Sequence, residues 1–179
     1  MPPRKKPATS ADSTDTGTEA VNWETVWRED QFNSLPLGSY VTRLAKFDPD
    51  FTANWYVAWK ADEANSLSFP DYLRALARHD DRTRAAWYTV WINDTRHGLS
   101  YPDFLDRLAS FDADFRTEWW YHVWRHDDAH SLSYLDYLER IAPFDARYRL
   151  DCHDVWRRER TQRVTSLSFP DFLNARVVG

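Results

Sequence analysis

The chain has 179 residues, ten of them Trp, and a formal charge of −5 at pH 7. That length is enough for one well-buried domain, and the acidic balance gives no general attraction to nucleic acid. Its single cysteine excludes an intrachain disulfide and any zinc centre built from cysteines, and no apolar run approaches the ~20 residues of a membrane span.

Residues 1–20 are rich in Pro, Ser, Thr and Asp and contain no aromatic residue. Such a segment buries too little apolar surface to offset its ordering entropy, so a disordered tail is expected. It starts basic, at Arg4, Lys5 and Lys6, and continues acidic. Nothing in it resembles the apolar stretch of a secretory signal, and a cytoplasmic protein is the expectation.

From residue 21 the sequence repeats itself. Trp27, Trp59, Trp91, Trp124 and Trp156 are spaced by 32, 32, 33 and 32 residues. Leu35, Leu67, Leu99, Leu132 and Leu167 follow them, and SLSFPDYL (66–73), GLSYPDFL (98–105), SLSYLDYL (131–138) and SLSFPDFL (166–173) are near-copies. Repetition at this period signals stacked supersecondary units. The expected fold is all-α: five tandem helical hairpins, about ten helices in a solenoid-like stack, with units at 21–47, 48–79, 80–111, 112–144 and 145–179. The period is close to the ~34 residues of tetratricopeptide repeats, but their W-x2-L-G-x2-Y pattern is absent, so period alone assigns no family.

Within a unit a longer helix comes first. It is expected to start after Asp48, Asp80, Asp112 or Asp145, each a good N-cap, and its stripe reads Phe51, Trp55, Ala58, Trp59 in unit two. Asn33, Asn65, His97-Gly98 and His130 mark its end, because Asn and Gly tolerate the left-handed turn that closes a helix. A shorter helix follows, with Ser68, Ser100, Ser133 and Ser168 as N-caps and Asp71, Asp103, Asp136 and Asp171 three residues on. That is a capping box with Asp in place of Glu. Unit one replaces it with Pro36-Leu37-Gly38-Ser39, and unit five puts Cys152, read as a small buried hydrophobe, where the other units have Trp.

Three features ask for more than core packing. An acid stands three residues after each second Trp: Asp30, Asp62, Asp94, Asp127 and finally Glu159. Asp near a helix C-terminus is unfavourable, so its return requires a cause. Pairing with the recurrent Arg43, Arg107 and Arg140 is the structural expectation, and an acidic face for a basic partner is the functional one. The fourth long helix carries one extra residue, placed by its spacing within Trp119–His122, and a π-bulge there would mark Trp120, Tyr121 and His122 as partner-binding candidates. The last long helix gathers Arg147, Arg149, Arg157, Arg158, Arg160 and Arg163; the last four are candidates for docking an acidic partner or a phosphate backbone.

His122, His126 and His130 recur every four residues and form a weak metal-site candidate. No Gly-rich phosphate loop, nucleophile elbow or Cys–His pair is visible, and no cofactor is expected. The leading expectation is a non-enzymatic repeat protein that mediates protein–protein interaction or assembly as a scaffold, self-association included. The alternatives are a nucleic-acid accessory protein using the Arg cluster and basic N-terminus, and a metal-dependent enzyme at the His face.

Overall fold

The computed structural model describes residues 21–178, and the tail expected at 1–20 lies outside them. The described residues form ten α-helices and no strand: α1 (Trp23–Glu29), α2 (Leu37–Leu44), α3 (Pro49–Ala61), α4 (Phe69–Leu76), α5 (Asp81–Asn93), α6 (Tyr101–Ala109), α7 (Glu118–His126), α8 (Tyr134–Ile141), α9 (Ala146–Thr161) and α10 (Phe169–Val178). None is long and apolar enough to cross a membrane.

Local chemistry starts these helices. Asp48 accepts from the backbone N–H groups of Asp50 and Phe51, and Asp145 from those of Arg147 and Tyr148. Ser100, Ser133 and Ser168 accept from the third helical N–H, while Ser68, Ser100 and Ser168 donate their hydroxyls to the partner Asp. Helices α4, α6 and α8 then bury a 3–4-spaced stripe completely, as in Tyr72, Leu73 and Leu76 or Phe104, Leu105 and Leu108.

Each unit is closed by the same indole bond. The Nε1–H of Trp27, Trp59, Trp91, Trp124 and Trp156 donates to the carbonyl of Leu35, Leu67, Leu99, Leu132 and Leu167 at 2.8–3.1 Å. This ties the end of the odd-numbered helix to the entry of the even-numbered one. Asn33 and Asn65 take the N–H two residues on through Oδ1, and His97 and His130 do so through Nδ1.

The recurring acid joins one unit to the next. Oδ2 of Asp30, Asp62, Asp94 and Asp127 accepts the N–H of Phe69, Tyr101, Tyr134 and Phe169, the first helical residue of the following unit's short helix, at 2.7–2.8 Å. In units one, two and four the same oxygen accepts the hydroxyl of Tyr40, Tyr72 or Tyr137. The four carboxylates are buried. Each caps a helix N-terminus in the next unit, where the dipole favours a negative charge, and hydrogen bonds to a charged group stabilise by ~1.5–3 kcal/mol. A second link runs beside it: Trp23, Trp55, Trp87 and Trp120 stack on those same first residues, with centroids 5.5–5.9 Å apart and interplanar angles of 16–21°.

Two expectations change here. The acids do not pair with Arg43, Arg107 and Arg140. Those guanidiniums reach the capping-box Asp of the next unit, in the pairs Arg43–Asp71, Arg107–Asp136 and Arg140–Asp171. The reason is burial: the acids lie inside the junction, and the arginines stay at the surface, where such pairs stabilise by ~1 kcal/mol or less. Nor is there a π-bulge. Residues Glu118–His126 are regular α-helix, and the extra residue is absorbed before them. Asp112 starts only a single turn, closed by Arg116 N–H to Asp112 O at 2.9 Å, and the chain breaks at Thr117 before α7 begins. α7 therefore has 9 residues where α3 and α5 have 13.

Candidate functional site

The late start of α7 decides which tryptophan does which job. Trp120, not Trp119, stacks on Phe169 and is buried. Tyr121 lies along Trp124, as Tyr56 does along Trp59 and Tyr88 along Trp91. Trp120 and Tyr121 thus serve the repeat. Trp119 occupies neither repeated position and is 46% exposed. Placing the insertion after Trp119 overlooks this residue; counting back from Trp124 by the Trp55–Trp59 spacing finds it.

Trp119 forms one wall of a groove of about 410 Å³ between α7 and α9, shared with His122, Val123 and His126 on one side and His153, Arg157 and Thr161 on the other. The groove brings together two features far apart in sequence, the insertion and the Arg cluster. His153 stands in α9 where α3, α5 and α7 have Tyr56, Tyr88 and Tyr121, and its ring meets Trp119 edge to face at 5.3 Å. Burial and then the Arg157 charge hold its imidazole below the usual histidine range, so the ring is neutral at pH 7.

The arginines separate by role. Arg149 is buried, donates to the carbonyls of Ile141, Ala142 and Phe144, and lies 4.2 Å over the Phe115 ring. It closes the C-terminal end of α8, as Arg84 closes that of α4. Arg160 pairs with Asp128 and sits over Trp156. Arg157 is exposed and makes no ion pair among the described residues; Arg158 lies next to it outside the groove, and Arg163 is not part of the lining. Arg163 also ends its helix: with φ of 56° it takes the left-handed position after α9, closed by Val164 N–H to Glu159 O at 2.8 Å.

Within the histidine triplet, His126 and His130 turn ring nitrogens to the backbone. His130 engages backbone through both ring nitrogens, Nδ1 accepting from Leu132 N–H and Nε2–H donating to Trp124 O. His126 Nδ1–H donates to the His122 carbonyl at 2.8 Å. No group of three or more His, Cys, Asp or Glu among the described residues is placed to hold a metal ion. The buried Asp series likewise presents no acidic face to a basic partner. Comparison with known proteins finds no matching family model, curated protein or solved structure.

Proposed function

We propose that this chain is a non-enzymatic interaction scaffold, a stack of helix pairs that presents the α7–α9 groove to a protein partner. The observation that carries this reading is Trp119. It belongs to neither aromatic seam, it is there because of an inserted residue, and that insertion costs α7 its first turn. Exposed Trp with Arg nearby is the composition of interface anchors.

The partner is a different protein and not a further copy added end to end. Unit five carries Cys152 and Glu159 in place of the Trp and Asp that reach forward, and unit one carries Leu37 in place of the aromatic residue that receives them. Unit five thus lacks both forward-reaching side chains, and unit one lacks the ring that would receive the Trp.

Capture with tagged full-length chain, wild type beside Trp119→Ala, tests the proposal. A protein species retained by the wild type and lost from the folded variant supports it. Identical retained species, or binding abolished by nuclease treatment, overturns it, the second outcome in favour of the nucleic-acid alternative.

A further inference from the structure

We infer that the α7–α9 groove takes an acidic peptide segment, a carboxylate seated on Arg157 beside an apolar side chain packed on Trp119 and Val123. The inference rests on the interaction reading above and adds the chemistry of the partner.

The chain is acidic overall, yet this groove is not. Its lining includes Arg157, Arg160, His122 and His126 and no carboxylate. The larger groove between α3 and α5 shows the contrast, since Asp48, Asp50 and Asp81 line it together with Lys46 and Arg84. Most arginines at the unit junctions are already matched: Arg43, Arg107, Arg140 and Arg160 each hold an acid of a neighbouring unit. Arg157 follows Trp156 on α9 as Lys60 follows Trp59 on α3, but where Lys60 holds Glu29 of the preceding unit, Arg157 has no acid among the described residues. A guanidinium with free N–H groups favours a carboxylate, which it binds through two parallel hydrogen bonds.

The remaining walls define what accompanies that carboxylate. Trp119 presents nearly half its surface, and Val123, itself buried, lies at the base of the groove one helical turn on. Thr161 offers no strong donor, because its hydroxyl already bonds the Arg157 carbonyl at 2.8 Å. The groove therefore discriminates by charge at one end and by apolar contact at the other. Its volume matches a few side chains of an extended segment and not a folded domain.

Calorimetric titration of the full chain tests this with a short Asp- and Glu-rich peptide carrying one Phe. The comparison probes are the same peptide with every acid replaced by its amide, and a single-stranded oligonucleotide. The expected result is saturable binding of the acidic peptide alone. Arg157→Glu should weaken it about tenfold or more, the loss of one charge-assisted contact, and Trp119→Ala should weaken it severalfold. Arg158→Glu, the same charge change beside the groove, should leave it nearly unaltered. Equal binding of the amide peptide, preference for the oligonucleotide, no binding, or equal effects of the two Arg variants overturns the inference. Those outcomes leave the interaction reading to its own test, in which a captured partner lost with Trp119→Ala but kept with Arg157→Glu would mean a groove with a non-acidic partner.

Discussion

Asp94 is the most deeply buried of the four junction acids, at 1% exposure, and the one that no tyrosine hydroxyl reaches. Its Oδ2 accepts the Tyr134 N–H at 2.7 Å, but the position that supplies a tyrosine hydroxyl in units one, two and four is held by Phe104. Unit four is a close template, because His130 and Tyr137 stand around Asp127 as His97 and Phe104 stand around Asp94. Phe104→Tyr should therefore place its hydroxyl on Asp94 and stabilise the fold by ~1 kcal/mol, while Tyr137→Phe should cost about the same. Thermal unfolding of the two variants checks both signs; destabilisation by Phe104→Tyr would show that unit three has closed over the space. Asp62 illustrates the opposite imbalance. Its Oδ1 has no hydrogen-bond partner, and burial holds the carboxyl above the usual range despite the bonds to Tyr101 and Tyr72. The acid itself was legible in the sequence as a position needing a cause. Its partner was not, because a backbone N–H 39–42 residues away carries no residue type to recognise. The readable signal was indirect: the forward-reaching Asp stops at unit four, and the aromatic residue that opens the short helix starts at unit two.

At the scale of helices, most boundaries followed from caps that sequence shows directly, such as Asp48 and Asp145 or the Ser of the capping boxes. α7 departs because a helix can take up one extra residue in two ways, by a bulge inside or by a break before it, and the sequence supports either. Packing chooses the break. Trp120, Tyr121 and Trp124 must keep their seats on Phe169 and Tyr134, so the surplus is pushed back to Thr117. The break has a visible cost. Arg116 stands four residues after Asp112, as Arg84 stands after Asp80, yet its Nη1 is buried without a partner. Deleting Trp119 restores the Asp80–Trp91 spacing between Asp112 and Trp124. The helix should then run on from Ala113, Arg116 should bond the end of α6, and the amides of residues 115–118 should gain protection in hydrogen exchange. Unchanged exchange there would mean that the break has another origin.

For the molecule as a whole, the two forward links make its stability a sum over neighbouring units, as in other repeat arrays. The links are interchangeable in kind: each interior unit offers a Trp and an Asp to the next, and each receives them on the first residue of its short helix. Excision of residues 80–111 should bring Asp62 to the N–H of Tyr134 and Trp55 onto its ring, with Arg116 available at the end of α4 where Arg84 was. Removal of residues 145–179 takes away one unit as well, but it strips Phe169 from Trp120 and Asp127 and leaves both facing water. A buried aromatic pair contributes ~0.5–1.5 kcal/mol beyond its area, and the capping bond adds its share, so the terminal cut should lower the melting temperature further than the interior one. Both shortened chains should be compared by thermal unfolding and by near-ultraviolet circular dichroism, which reports the packed indoles. A cooperative transition after the interior excision, above that of the terminal truncation, is expected. The reverse order would mean that the ends are ordinary units and that Cys152, Glu159 and Leu37 do not terminate the array.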